Sequence, residues 1–223
     1  MGNTALNTAI SVSNLIYRYP QGGFTISCPQ LELPTGKLTL ITGPNGSGKT
    51  TLSKLLCGIL HPEQGELYIF GTCAKDLSLG AIGAQVGYLF QDPSRQLFAG
   101  TVWKEMTFVD DILGRDHEAA AKRARALLER FGLTSLVERS VYHLSRGEKQ
   151  RLALCTILMG GAEFVILDEP TIGLDGTNRE KLYSVIEELL AQGKGLAVIS
   201  HENELIARYS AHRVRLERGR VVA

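Results

Sequence analysis

The sequence is short of several features that mark particular classes of protein. Its 24 basic and 23 acidic residues leave a net charge of only +1, which does not suit a protein that neutralises many nucleic-acid phosphates. It has four cysteines and no CxxC pair, so neither a zinc site nor a redox dithiol is indicated. No apolar run approaches the roughly 20 residues that a membrane-spanning helix needs. Nucleic acid is therefore not an expected partner, and any membrane role requires another subunit.

The composition that remains is typical of one folded domain. Of the 223 residues, 44% are apolar and 21% are charged, which is ample for a sizeable buried core. The opening segment MGNTALNTAI has neither the basic start nor the long apolar stretch of a secretory signal. We expect reduced thiols and a single domain over residues 1–223.

Predicted strands and helices alternate along the chain. The apolar patterns predict strands at residues 37–42, 66–70, 86–90, 164–167 and 196–200, and helices over 118–131, about 145–159 and around 182–190. A further helix follows residue 50 and is expected to stop near His61, because Pro62 disfavours helical geometry in the residue before it. This alternation predicts an α/β fold with a parallel sheet covered on both faces. Ligands of such sheets bind at the carboxyl ends of the strands, which here carry Gly43, Asp168 with Glu169, and His201.

A glycine-rich loop between a predicted strand and a predicted helix gives the clearest functional signal. It matches GxxxxGK[ST] in full, and the residues predicted to bind nucleotide there are Gly43, Pro44, Asn45, Gly46, Ser47, Gly48, Lys49, Thr50 and the adjoining Thr51. The glycines let backbone N–H groups and the helix N-terminus point at phosphate. Lys49 adds a positive charge for the β- and γ-phosphates, and Thr50 offers a hydroxyl to Mg²⁺. The loop predicts binding of a nucleoside triphosphate with Mg²⁺.

A second signal is the apolar strand 164–167, which runs directly into Asp168 and Glu169. Two carboxylates at this edge of the sheet suit a metal ligand and a group that orients water. We predict that Asp168 binds Mg²⁺, directly or through water, and that Glu169 orients the attacking water. The alternative, considered on this segment alone, is a solvated acidic turn.

The segment LSRGEKQR, from Leu144 to Arg151, resembles the signature motif of ATP-binding cassette (ABC) ATPases, and it stands shortly before the strand that ends in Asp168. The resemblance spans about Leu15 to Val222. It implies a P-loop NTPase of the ABC ATPase type, with a mainly parallel, RecA-like core, an N-terminal antiparallel β subdomain and a helical lobe inserted at about residues 92–160.

The resemblance also implies a head-to-tail dimer with a second ATPase subunit, identical or paralogous, in which each ATP lies between the glycine loop of one subunit and the signature of the other. The predicted contacts are Ser145, Arg146, Gly147 and Glu148. Ser145 and Glu148 also form a capping box, so Ser145 could simply cap a helix. Arg146 and Glu148 stand where the family more commonly has glycine and glutamine, and Arg146 could either strengthen γ-phosphate binding or point away from it.

Four further positions carry roles by the same resemblance. Tyr19 is similar to the aromatic that stacks on adenine, although Tyr17 or a purely structural role is an alternative; Gln91 resembles the glutamine that contacts Mg²⁺ and water. Asp175 resembles a residue that touches the facing subunit, but could be only a helix N-cap. His201 resembles the histidine that binds the γ-phosphate and the water-orienting glutamate. The predicted catalytic set is thus Lys49, Gln91, Glu169 and His201, and the predicted metal ligands are Thr50, Gln91 and Asp168.

The stretch QDPSRQLF, from Gln91 to Phe98, is similar to energy-coupling-factor ATPases, which power uptake of vitamins such as biotin, or of cobalt or nickel. This implies a peripheral ATPase at the cytoplasmic face of the cell membrane, bound to an integral membrane transporter subunit. A groove for a short helix of that subunit is expected at Leu97, Phe98, Val102 and Trp103, unless these residues form ordinary core. The competing functions are a soluble ABC ATPase of assembly or DNA maintenance, and a switch that binds ATP without hydrolysing it.

Overall fold

The computed structural model describes residues 8–20, 22–209 and 211–222. Within these ranges the strands are β1 Thr8–Arg18, β2 Thr25–Pro34, β3 Leu38–Thr42, β4 Gln64–Ile69, β5 Thr72–Cys73, β6 Val86–Leu89, β7 Phe164–Asp168, β8 Gly195–Ile199, β9 Arg213–Glu217 and β10 Arg220–Val222. The α-helices are α1 Lys49–Leu56, α2 Leu79–Gln85, α3 Val102–Ile112, α4 His117–Arg130, α5 Arg146–Gly160, α6 Gly176–Ala191 and α7 Asn203–Arg208.

The strands of the described residues form one mixed sheet in the order β5-β4-β1-β2-β10-β9-β3-β8-β7-β6. From β9 to β6 every neighbouring pair is parallel. In the other half β1 pairs antiparallel with both β2 and β4. The structure therefore has the mainly parallel core and the N-terminal antiparallel section expected of an ABC ATPase fold.

The parallel strands are buried on both faces. Along β3, Leu40 packs into one hydrophobic cluster and the next residue, Ile41, into the other. Val198 and Ile199 in β8 divide between the two clusters in the same way. Because successive side chains of a strand point to opposite faces, each apolar run supplies both cores at once. The predicted sheet with both faces covered is confirmed.

Most predicted elements are present within one or two residues of their expected bounds, but the end of α1 is a correction. The helix ends at Leu56, five residues before the predicted stop at His61. Gly58 adopts a left-handed conformation with φ 71°, and its N–H donates to the Leu55 carbonyl at 3.0 Å. A glycine just past the last turn closes a helix in this way, so Gly58 rather than Pro62 ends α1.

The helices α3, α4 and α5 lie between β6 and β7 in the chain. A buried carboxylate joins them, because Asp110 at the end of α3 accepts from Arg115 and from Arg123 of α4, both at 3.0 Å. The Arg115 guanidinium also lies 3.4 Å from the Gly160 carbonyl at the end of α5. No helix in the described ranges is both long and apolar enough to cross a bilayer.

Candidate functional site

The carboxyl ends of β3, β7 and β8 meet at a cavity of about 480 Å³. This nucleotide cavity is lined by Tyr19, Phe24, Asn45, Gly46, Gly48, Lys49, Thr50, Thr51, Gln91, Asp168, Glu169 and His201. All of these except Phe24 are residues that the sequence assigned to nucleotide, metal or catalysis. Since they come from segments far apart in the chain, the fold has brought the predicted groups together.

The glycine loop is held tightly against the antiparallel strands. Gly48 has a left-handed φ of 103°, and a Cβ there would overlap the side chain of Ile26 and lie 2.9 Å from the ring of Phe24. Only glycine suits both constraints. Lys49 Nζ donates to the carbonyls of Gly43 at 2.8 Å and Pro44 at 3.1 Å. The ammonium group is therefore held at the loop, where phosphate oxygens would bind.

Asp168 ends β7 as a fully buried carboxylate. Its Oδ2 accepts from the Tyr88 hydroxyl at 3.3 Å, and its Oδ1 is buried with no hydrogen-bond partner among the described residues. Burial raises the pKa of Asp168 above its ordinary value, and hydrogen bonds from the hydroxyls of Thr50 and Tyr88 offset this only in part. A buried, unpaired carboxylate oxygen is costly unless something binds it, so this atom is suited to a cation.

Glu169 and His201 form the clearest pair of the site. His201 Nδ1 lies 2.8 Å from Glu169 Oε1. The glutamate side chain is only 6% exposed, whereas the histidine side chain is 60% exposed and accessible to a ligand. Glu169 also has a φ of 51°, a left-handed conformation that side chains rarely adopt. Strain of this kind persists where the surrounding structure fixes the residue. The second carboxylate oxygen of Glu169, Oε2, is buried and has no hydrogen-bond partner within the described ranges.

The aromatic side of the cavity separates the two candidate tyrosines. Tyr19 lines the cavity and its hydroxyl lies 3.1 Å from Thr51 Oγ1. Tyr17 is buried in the core and packs edge-on against Tyr19 with ring centroids 5.1 Å apart. The geometry therefore favours Tyr19 for an adenine contact. Phe24 joins Tyr19 on this wall, and no pattern in the sequence pointed to it.

The signature residues lie outside the nucleotide cavity of their own chain. Ser145 is exposed and caps α5: its Oγ accepts from Glu148 N at 3.3 Å, and its own N–H donates to Glu148 Oε2 at 2.6 Å. Gly147 lies so close to the loop after β7 that a Cβ would meet the Gly173 carbonyl oxygen at 2.8 Å. The buried Gln150 fixes the same loop by donating to the Pro170 carbonyl at 3.2 Å. The signature thus lies at the surface, at a helix N-terminus that is capped by Ser145 and Glu148.

The two remaining motif residues have less decisive surroundings. Asp175 is the N-cap of α6, where it accepts from Asn178 N at 2.8 Å, so the capping role holds whether or not it also meets a second subunit. Arg146 lines a neighbouring cavity of about 470 Å³ that also contains Gln91 and Thr50. Its side chain is exposed at the start of α5.

Another concave surface, here called the apolar groove, lies between α2, β6, α3 and α5 and has a volume of about 580 Å³. It is lined by five of the six large apolar side chains that are exposed among the described residues: Leu79, Phe98, Phe108, Ile112 and Leu113. Exposed apolar patches of this kind are typical of binding surfaces.

The predicted composition of the groove needs correction. Of the four residues expected there, Phe98 alone lines it. Leu97 and Val102 are buried in the core, and Trp103 packs against the same hydrophobic cluster with the Arg125 guanidinium above its ring. The helix α3 begins at Val102, so its first apolar residue faces inward, and residues on its other face form the groove.

Comparison with known proteins decides the family. Residues 27–172 match the ABC transporter family. The chain belongs to the ABC transporter family. Membership implies that this ABC ATPase binds and hydrolyses ATP, as the cavity geometry suggests.

Relatives named for energy-coupling factor transporters are among the most similar. The ATP-binding protein EcfA1 of Thermotoga maritima is 37% identical over 197 residues, covering 88% of this chain and 74% of that protein. The EcfA protein of Carboxydothermus hydrogenoformans is 33% identical over 218 residues, covering 98% of this chain and 81% of its own.

Solved structures agree with the fold. The cbiO1 protein of Clostridium perfringens, described as part of the ABC transporter complex cbiONQ, has a TM-score of 0.81 and 27% identity, and covers 97% of this chain and 88% of its own. A dimeric ATP-binding cassette in a post-hydrolysis state with ADP and Pi has a TM-score of 0.83 and 26% identity, with 96% and 97% coverage. One of these relatives is thus described as part of a transporter complex, and the other as a dimer.

Proposed function

We propose that this chain is a single cassette, with a helical lobe at about residues 92–160, that hydrolyses ATP with Mg²⁺ to drive an energy-coupling-factor transporter. The proposed location is the cytoplasmic face of the cell membrane, and the proposed cargo is a vitamin such as biotin, or cobalt or nickel. The carrying observation is the convergence of the glycine loop with Asp168, Glu169 and His201 in one cavity.

Hydrolysis of ATP needs positioning and charge stabilisation more than covalent help. Lys49, held at the loop carbonyls, supplies positive charge to the phosphates. Glu169 orients the attacking water with its unpaired buried oxygen, and His201 fixes the other carboxylate oxygen at 2.8 Å. Gln91 lines the same cavity, which supports its proposed contact with the water.

The donor set also fits magnesium. Among the described residues no three His, Cys, Asp or Glu side chains cluster as metal ligands, but a magnesium ion bound to nucleotide needs only one or two carboxylates besides phosphate and water. Asp168 Oδ1 supplies a buried, unpaired carboxylate oxygen, and Thr50 and Gln91 line the cavity beside it. These three residues would hold the ion, which would neutralise charge on the phosphates.

The exposed position of the signature supports a dimer with ATP at the interface. Ser145 and Gly147 are absent from the described lining of their own cavity, yet they form a helix N-terminus, which favours anions. Each site would be completed when these residues contact the γ-phosphate of the ATP bound to a second subunit, which is identical or paralogous. The dimeric relatives are consistent with this arrangement.

The apolar groove is the proposed docking surface for the membrane subunit. A short helix with an apolar face would cover Phe98, Phe108 and Ile112. The named relatives do not favour the soluble alternative, in which no such partner exists.

Two experiments test the proposal. Purified protein should hydrolyse ATP with Mg²⁺ and lose turnover in EDTA; activity no greater than that of a Lys49→Ala variant would contradict the ATPase assignment.

In pull-downs from detergent-solubilised membranes, the wild type should retain an integral membrane subunit and a small substrate-capturing protein. Ile112→Asp in the groove should lose both, while Ala126→Asp on the exposed face of α4 should keep them. Equal retention by the two variants would remove the groove from this role.

A further inference from the structure

A buried chain of hydroxyl groups reaches the metal-facing carboxylate from below. Tyr88 in β6 directs its hydroxyl to Asp168 Oδ2 at 3.3 Å. The same hydroxyl lies 3.0 Å from Ser53 Oγ in α1. Ser53 Oγ in turn lies 2.9 Å from the carbonyl oxygen of Thr50. The chain therefore connects Asp168 to the backbone of Thr50, and both residues are candidate metal ligands.

The donors and acceptors of this chain can be assigned. A phenol remains protonated at neutral pH, and Tyr88 has one hydrogen, which is directed to the carboxylate. Any hydrogen bond between Ser53 and Tyr88 must then be donated by Ser53. Its one hydrogen has two possible acceptors, the Tyr88 oxygen and the Thr50 carbonyl. Both Ser53 and Asp168 are fully buried, and Tyr88 is 9% exposed. Water therefore has little access to replace a lost bond.

We propose that Tyr88 is a positioning residue for the metal site: its hydroxyl, supported by Ser53, holds Asp168 Oδ2 so that Oδ1 faces the cation. Without this bond the carboxylate loses one of the groups that restrain its terminal torsion, which is a soft one, and the Thr50 hydroxyl remains as the other. The proposal rests on the proposed function, because Asp168 is assigned to Mg²⁺ there.

The position of the Tyr88 ring gives the residue a second connection. Tyr88 is one of the residues that line the apolar groove, and its ring packs edge-on against Phe90 with centroids 4.7 Å apart. One residue therefore lines the proposed docking surface and also donates a hydrogen bond to the metal-facing carboxylate.

The test is the Mg²⁺ dependence of ADP binding in Tyr88→Phe, a variant that removes only the hydroxyl. A fluorescent ADP analogue is titrated in EDTA and at increasing Mg²⁺, so no turnover is needed. We expect the Mg²⁺ concentration for half-maximal enhancement to rise about tenfold, the scale of one hydrogen bond to a charged group. ADP affinity in EDTA should not change. Tyr183→Phe is the matched control, because the Tyr183 hydroxyl is buried with no partner in the described part of the chain.

The outcomes separate this inference from the proposed function. The positioning role would be overturned if Tyr88→Phe had the same Mg²⁺ dependence as the wild type. It would also be overturned if the variant lost as much ADP affinity in EDTA as it lost in Mg²⁺. If Tyr88→Phe does not fold, Ser53→Ala provides the same test, with a smaller shift expected in the same direction; no shift there would also overturn it. Absence of any Mg²⁺ effect in the wild type would instead contradict the proposed metal site.

Discussion

Replacement of Glu169 by glutamine isolates the chemistry of the site from its shape. The amide has nearly the same volume, so packing and the strained φ of 51° should persist. What disappears is the negative charge on a buried side chain whose Oε1 lies 2.8 Å from His201 Nδ1 and whose Oε2 has no partner in the described ranges. Loss of one preorganised group of this kind slows turnover about 100-fold or more, or about 3 kcal/mol in the barrier.

The assay is phosphate release at saturating ATP and Mg²⁺, followed by size analysis of the protein. Because Lys49 and Thr50 are untouched, the variant should still bind ATP and accumulate as an ATP-bound dimer. Glu163→Gln is the matched control, since Glu163 immediately precedes β7 while Glu169 follows it. Turnover within a factor of about two of wild type in Glu169→Gln would refute the assignment of this residue.

Three further predictions concern other residues. Tyr19→Ala should weaken ATP binding about tenfold, because stacking on a base contributes about 1–3 kcal/mol. Tyr19→Phe keeps the ring and should bind ATP nearly as the wild type does. If equilibrium titrations show equal losses of affinity in the two variants, the effect belongs to the hydrogen bond with Thr51. Hydrogen bonds from Ser145 hold the pKa of Glu148 below its ordinary value of 4.5. The charged carboxylate therefore stabilises the fold above pH 4.5, and this stabilisation is lost as the pH falls through the lower pKa of the folded state. The difference in Tm between wild type and Glu148→Gln should therefore be positive at pH 7 and shrink as the pH falls below 4.5, and a constant difference would contradict this. Burial raises the pKa of Cys28 to about 11 and of Cys57 to about 12, so a thiol reagent at pH 8 should modify the half-buried Cys73 first, and rapid modification of Cys57 in the folded protein would contradict the packing.

The parts of the site that could be predicted from sequence are those whose chemistry is local. The glycine loop, Asp168 and Glu169 each follow an apolar strand directly, so strand ends and functional groups are read from one short segment. Ser145 with Glu148 is likewise local, and the capping box is present as predicted.

The parts that could not be predicted depend on contacts between distant segments. Phe24 joins the cavity because the missing side chain of Gly48 lets its ring approach the loop. Tyr88 reads as an ordinary strand residue, and only the alignment of β6 beside β7 places its hydroxyl at Asp168. The groove was misjudged for a related reason: Leu97 and Phe98 are equally apolar neighbours, and the backbone geometry alone decides that one is buried and the other exposed.

The central claim is that ATP binds between the glycine loop of one subunit and the signature of another. It is tested most directly by mixing two inactive variants, Lys49→Ala and Ser145→Asp; aspartate preserves the helix cap but places negative charge against the γ-phosphate. In a mixed dimer one site combines an intact loop with an intact signature, so an equal mixture should recover about a quarter of wild-type turnover by random pairing in a two-fold dimer. A mixture no more active than its separate components would contradict the account.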